Sequence, residues 1–382
     1  MNKTRIMLFG LGSLGSLVLD LLLRIDCNLE VLVASRTEEA VHQRTNLSML
    51  AALQLGHRPT VSSTVLDVRD IGQTAELIAR FRPHIIFSSV CLQSWWVISA
   101  LPKSLFDRLD QTQVGPWLPM HLTLLYKLMQ AVRDSGHHPI VVNASYPDVT
   151  HQILSNIGLA PHIGIGNVSN AIPGLRMSLS CKLRIPVERI QVRLFAHHYV
   201  SHRVSRMGNA GNAPFHLTVF VDGEDVTKSL NPETVFDLMP TRFKRSGGVN
   251  GQLITATSAL DVLRAIILDE RRIVHAPGPK GLPGGYAVRV GRDLIEVALP
   301  ENLPLAEAVR VNEEGMRFDG VDRIGPDGTT WFTQKEMSIM ADMLGFSRQS
   351  MQPDESEECA EELLARYGEF SRRCHLTRAA GA

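Results

Sequence analysis

An α/β fold built on a doubly wound parallel sheet, with a second α+β domain behind it, is what this sequence predicts. Three observations carry that reading. The chain opens on a short apolar run that meets three glycines and then leucines at helical spacing, "RIMLFGLGSLGSLVLDLLLR". Further apolar runs then alternate with helical patterns as far as residue 145, the order expected of parallel strands joined by crossover helices. Beyond Asn167 the pattern changes to alternating apolar and polar residues with hairpin turns, which suits antiparallel strands.

The bulk properties leave room for both parts. At 382 residues the chain is long enough for two or three domains, and a chain of that size buries roughly three quarters of its extended surface. Its 39 basic and 39 acidic residues cancel, which argues against nucleic acid or a membrane surface as partner. Five cysteines are scattered with neither metal-ligand nor disulfide spacing, so no metal is expected. No signal-peptide pattern precedes the first strand and no apolar run reaches bilayer length, so a cytoplasmic protein is expected.

Taken in order, "RIMLF" is the first strand, and the glycines follow it directly. In a strand–turn–helix setting, G-x-G-x-x-G is the fingerprint of a dinucleotide-binding Rossmann unit. Gly10 makes the turn, Gly12 lets backbone approach a pyrophosphate, and Gly15 lets helix and strand pack closely. Leu14 lies within the same loop-to-helix turn. "LEVLVAS" is the second strand, "VSSTVLDVRD" a third segment, "HIIFSSV" a fourth strand and "PIVVNAS" a fifth.

The end of the second strand bears on which dinucleotide binds. NAD-specific units place an acidic residue there for the ribose 2′-hydroxyl, whereas this chain has Ser35, Arg36 and Thr37. A guanidinium and hydroxyls attract a 2′-phosphate, so NADP(H) is favoured, with NAD(H) the alternative. Asp67 and Ser89, at or near the ends of later strands, complete the expected cofactor contacts; Asp67 reads equally well as a turn or cap residue.

In the second half, "ERIQVRLFAHHYV" reads as a half-buried strand, "FHLTVFVDGEDVT" as a hairpin turning at Asp222–Gly223, and "YAVRVGRDLIEVALP" as another turning near Gly291. A long helix surrounds "SALDVLRAIILDERR". A later one starts at Thr333 with Glu336 three residues on and stops at Gly345. The last segment is acidic, then helical, then frayed and basic: a helix docked on a neighbour or a tail. The expected division is residues 1–167 for the dinucleotide, 168–348 for the substrate, and 349–382 for the tail.

The segments "VVNASYPDVTHQIL", "HIGIGNVSNAIPGLR" and "RLFAHHYVSHR", in that order, resemble the middle of the lactate/malate dehydrogenase family. The likeness continues through "TATSALDVLRAIILDERRIVHAPGPKGLPGGYAVRVGRDLIEVALP" and covers roughly residues 5 to 345 in element order. It implies that family's two-domain fold, a homo-oligomer (dimer or tetramer), and hydride transfer between a nicotinamide cofactor and a small molecule. The resemblance makes Asn143, or Ser145 in a shifted register, the family's cofactor-binding asparagine near the nicotinamide, and His198 matches the family's catalytic histidine. Strand parity selects the same residue, since Ile190, Val192, Leu194, Ala196 and His198 share one face, with His202 in reserve.

The departures are informative. Asn170 stands where the family has the aspartate that orients the histidine, and Pro173 where it has the arginine that clamps a substrate carboxylate. A tryptophan-rich insert, residues 92–117, replaces the family's mobile loop and is expected to form a lid, a dimer contact or packed surface helix being the alternative, with Trp95, Trp96 and Trp117 suiting a substrate larger than lactate or malate. The basic "RFKRSGG" (242–248) reads as a solvated, glycine-loosened loop, with contact to an anionic substrate the alternative. The expected activity is therefore an NADP(H)-dependent reaction at a carbonyl or hydroxyl carbon. Imine reduction of the opine or saccharopine type, or cofactor binding without catalysis, are the alternatives.

Overall fold

The computed structural model describes residues 3–380, and the side chains of 3–374. Along the first half run β1 (Thr4–Phe9), α1 (Ser13–Leu22), β2 (Leu29–Ser35), α2 (Glu38–Gln54), β3 (Thr60–Val65), α3 (Ile71–Phe81) and β4 (Ile85–Ser88). Then come α4 (Lys103–Leu109), α5 (Leu118–Asp134), β5 (Ile140–Asn143), α6 (Pro147–Asn156) and β6 (Ile163–Gly164). The six strands form one parallel sheet in the order β3-β2-β1-β4-β5-β6. The order reverses between β1 and β4, and a crevice opens there at the carboxyl ends of the strands.

Alternation decides which layer each strand residue joins. Ile6 and Leu8 pack on one face with Leu19 of α1, while Met7 and Phe9 pack on the other with Leu125 of α5. Both faces are thus covered, as a parallel sheet requires, and each fully buried large apolar side chain contributes about 1.5–3 kcal/mol.

The second half comprises α7 (Val168–Leu183), β7 (Ile190–Phe195), α8 (His198–Met207), β8 (His216–Val221), β9 (Glu224–Asp225), α9 (Gln252–Ile267), β10 (Arg272–Pro277), β11 (Gly285–Val290) and β12 (Ile295–Val297). It ends with α10 (Leu305–Phe318), β13 (Val321–Ile324), β14 (Thr330–Phe332), α11 (Gln334–Leu344), β15 (Ser350–Met351) and α12 (Ser356–Ala380). Nine of these are strands, in three small antiparallel sheets: β7-β8-β9, β10-β11-β12 and β13-β14-β15. Both expected hairpins are present, and Asp222 and Gly223 each have positive φ, 52° and 89°, as a tight hairpin turn needs. α11 has Thr333 as its N-cap and stops at Gly345 in the left-handed conformation.

Two expectations change. The strand through "RLFAHHYV" stops at Phe195, because its partner β8 begins at His216, which pairs with Phe195. With no ladder left, the chain turns at His197 and enters α8, whose buried Val200, Ser201 and Val204 lie on one helical face. His198 and His202 therefore share a helix face at i, i+4 rather than a strand face. The C-terminal segment docks on its own chain: Cys359, Ala360, Leu363 and Tyr367 are buried in the core over α5, and the Tyr367 ring meets Trp117 edge-on at 5.6 Å. The side chains of the basic end expected beyond Cys374 lie outside the described residues.

Among the described residues no helix is long and apolar enough to cross a membrane. The tightest approach in the first half is at Gly15, where a Cβ would lie 2.0 Å from the Gly10 carbonyl oxygen and 2.8 Å from Ser89 Oγ. Gly15→Ala should therefore force α1 away from the loop and lower the thermal midpoint, with a cost of about 1–3 kcal/mol. A differential scanning measurement showing an unchanged midpoint would contradict this packing.

Candidate active site

A cleft of about 870 Å³ occupies the crevice at the switch point and runs beneath α8 and the start of α9. At one end β1 delivers the glycine loop. Gly10 has φ +90°, and its carbonyl oxygen accepts from Ser89 Oγ at 3.1 Å, which ties the loop to the end of β4. Gly12 is the N-cap of α1, has no side-chain cap, and a Cβ there would meet nothing within 4 Å. The first N–H groups of α1 thus face open space, and an anion suits that position.

The structure gathers most of the expected cofactor residues here. Gly10, Gly12, Leu14 and Gly15 line the cleft, as do Ser35, Arg36, Asp67 and Ser89. Arg36 is exposed and makes no ion pair among the described residues. Asp67 accepts the Arg69 N–H at 3.0 Å, which fits its turn role. Two expectations are corrected. Thr37 does not line the cleft, because it stands outside as the exposed N-cap of α2. Asn143 is fully buried, with its Oδ1 accepting the Ser145 N–H at 3.0 Å, so it shapes the turn that brings Ala144 and Ser145 to the cleft.

His198, at the first turn of α8, faces the same cleft with 17% of its side chain exposed. Its Nδ1 lies 2.9 Å from Oδ2 of Asp319, and the Tyr146 hydroxyl donates to that same oxygen at 2.7 Å. Asp319 follows α10 and is wholly buried; its own carbonyl accepts the Gly115 N–H at 2.7 Å. Burial alone would push its carboxyl up, yet the charge and hydrogen bond of His198, then His197 and the Tyr146 hydroxyl, bring it down to about 2. Burial likewise disfavours charged His198, but the Asp319 charge and hydrogen bond outweigh it and hold the imidazole above its ordinary value. The hydrogen bond assigns the proton on Nδ1 and leaves Nε2 to the cleft.

Neighbouring groups are driven the other way. Burial, then the charge of His198, holds His121 at about 4, and burial first of all holds His202 at about 3, so both are neutral at neutral pH. Burial raises Asp148, which is bonded to the Asn167 amide. His202 stacks on His198 with ring centroids 5.7 Å apart, and Trp95 meets it edge-on at 5.6 Å.

Asn170 is not the orienting residue. It lines the cleft, but its Nδ2 donates to Thr255 Oγ1 at 3.1 Å, because the first turn of α7 faces α9. Asp319, 121 residues from His198 along the chain, takes that place. Pro173 lies inside α7, and Arg176 is spent on the carbonyls of Ile190 and Val187. Trp95 and Trp96 line the cleft, whereas Trp117 is 1% exposed in the core, its Nε1 donating to Thr112. Asp319 and His121 escaped the sequence reading, which offered Lys244 and Arg245 only as part of the basic loop; the backbone of Tyr146, at φ 46°, is a left-handed non-glycine conformation that no local motif announces.

No family model and no curated protein matches the chain. Solved structures do. Malate dehydrogenase from Plasmodium falciparum has a TM-score of 0.54 at 13% identity, over 82% of this chain and 95% of that one. Malate dehydrogenase from Cryptosporidium parvum gives 0.56 at 12% identity, over 83% and 98%. Lactate dehydrogenase from Cryptosporidium parvum, solved with lactic acid and nicotinamide adenine dinucleotide, gives 0.55 at 13%, over 84% and 99%. The chain has the lactate/malate dehydrogenase fold.

The paired shifts set a pH window. The lowered carboxyl of Asp319 contributes stability that is present above the ordinary carboxylate range and lost as pH falls through about 2. The raised imidazole of His198 contributes stability that is present below about 6.5 and lost as pH rises through its higher folded value. In Asp319→Asn, burial is opposed only by the charge of Asp148, so the His198 resonance in an NMR titration should move to lower pKa. An unmoved titration would mean that another group holds the proton.

Proposed function

We propose that this protein is an NADP(H)-dependent oxidoreductase acting at a carbonyl or hydroxyl carbon of a substrate larger than lactate or malate. The observation that carries the reading is the His198–Asp319 pair facing one cleft with the glycine loop. The open N-terminus of α1 and the side-chain-free Gly12 fit a pyrophosphate, and Arg36, without an internal ion pair, fits a 2′-phosphate. The Cryptosporidium lactate dehydrogenase of the same fold binds nicotinamide adenine dinucleotide, which supports the nicotinamide class. The choice of NADP(H) rests on Arg36 alone.

A bound nicotinamide supplies or accepts the hydride. His198 Nε2 gives a proton to the substrate oxygen, or takes it, while Nδ1–H stays on Asp319. Asp319 keeps the ring in one tautomer and stabilises the imidazolium, and Tyr146 fixes the carboxylate. Trp95 and Trp96, on the turn Trp95–Ala100, cover the cleft and keep water from the reacting carbon. The reading keeps residues 1–167 as the dinucleotide-binding part and 168–348 as the substrate part. With Pro173 inside α7 and Arg176 of that helix held by the carbonyls of Ile190 and Val187, α7 offers no free arginine to clamp a carboxylate beside the reacting carbon.

His198→Ala, folded as judged by circular dichroism, should lose at least about 100-fold in kcat, the usual scale of a general acid–base group. Turnover unchanged in that variant would remove His198 from the mechanism. NADPH should bind at least tenfold more tightly than NADH, since one charge-assisted contact at Arg36 is worth about 1.5–3 kcal/mol. Arg36→Asp should invert the order in a fluorescence titration; equal affinities in the native protein would leave NAD(H) as the cofactor. Pyruvate and oxaloacetate should be turned over poorly, and brisk reduction of either would show a clamp elsewhere.

A further inference from the structure

The loop before α9, read from the sequence as solvated or as meeting an anionic substrate, lines the cleft that holds His198. Lys244, Arg245, Ser246, Gly247 and Gly248 all face it. Neither Lys244 nor Arg245 makes an ion pair among the described residues; Arg245 only donates to Ser205 Oγ, at 3.4 Å. Arg206, beside them, is already matched by Asp110 at 2.8 Å. Among the described residues, the only carboxylate lining the cleft is Asp67, on the Arg36 side. Desolvation lowers the pKa of Arg245, as expected of a cation held against protein with no counter-charge. Among the described residues, two cations therefore line the cleft without an acidic partner, next to the glycine-capped start of α9.

Helix α8 measures how far they stand from the chemistry. His198, His202 and Ser205 recur at helical spacing on its cleft face, and Arg245 is anchored at Ser205. Seven residues at 1.5 Å each put the cationic loop about 10 Å along the helix from His198. Between the two lies a flat aromatic wall: the neutral His202 ring stacked on His198, with Trp95 edge-on to it.

Resting on the oxidoreductase reading, we propose that the substrate carries a carboxylate or phosphate about 10 Å from its reacting carbon, held by Lys244 and Arg245, with an apolar or planar section between them. The charge is remote, unlike the carboxylate that adjoins the reacting carbon in lactate or malate. Such a length explains why the clamp position on α7 can be a proline.

The test uses the full chain and measures anion binding by calorimetry, with hydrogen phosphate and glutarate as separate probes, in the presence of saturating NADPH. The native protein should bind at least one of them, and the tighter probe identifies which anion the loop prefers. Lys244→Met/Arg245→Met, on an exposed loop, should weaken that binding at least tenfold while NADPH affinity stays within twofold. With methyl ketones bearing an ω-carboxylate, kcat/KM should rise with chain length in the native protein and lose that dependence in the double variant. Anion binding equal in both proteins, or absent from the native one, overturns the proposal. A matching loss of NADPH affinity in the variant also overturns it, by assigning the loop to the dinucleotide. If NADPH does not bind but anion binding still depends on the two residues, the anion subsite stands and the cofactor reading falls.

Discussion

The buried carboxylate of Asp319 is the point on which the rest of the site depends. Taking a carboxylate out of water costs several kcal/mol, and it stays charged only where donors replace the lost solvent. Here one oxygen receives the His198 ring and the Tyr146 hydroxyl, from the starts of α8 and α6, while the residue itself follows α10. Its main-chain carbonyl holds Gly115, which leads into α5. One residue thus joins the parallel-sheet half, the antiparallel half and the segment covering the cleft. Removing one partner of such a buried pair typically costs about 3–5 kcal/mol, because the other charge is left uncompensated.

The opposite end of the cleft is made by leaving side chains out. Gly15 lets α1 come against the Gly10 carbonyl, and Gly12 leaves the helix N-terminus bare. Helix α1 is also fixed from behind by α9, whose Val262, Leu263 and Ile266 share a buried cluster with Leu19 and Leu22. The same α9 carries, at its own start, the loop with Lys244 and Arg245. The two ends of the cleft are therefore positioned by one helix pair, so their separation is set by core packing rather than by loop flexibility.

Between them, electrostatics sorts five titratable groups into distinct states. Asp319 is charged and His198 is drawn toward charge, whereas His121, His202 and His197 are kept neutral by burial. A single imidazole near a carboxylate can then exchange a proton while its neighbours serve as walls. Environments that push like groups apart in pKa are the usual means of assigning acid–base roles.

What the sequence determined by itself is what adjacent residues encode: period two against period 3.6, the glycine spacing after β1, the Asp222–Gly223 turn, and the cap at Thr333. These follow from steric rules that act over a few residues, which is why the sheet, the hairpins and the glycine loop were legible. His198 was found as well, though by a strand parity that the start of β8 cut short. Only the tertiary structure decided that Asp319 and not Asn170 faces His198, that Ser145 and not Asn143 reaches the cleft, that Trp117 belongs to the core, and that exposed Lys244 and Arg245 line the cleft of His198. Each of these depends on which distant elements pack together, and charge and hydrogen bonding act across space. A separation of 121 residues in the chain becomes 2.9 Å in the fold, and no local pattern carries that information.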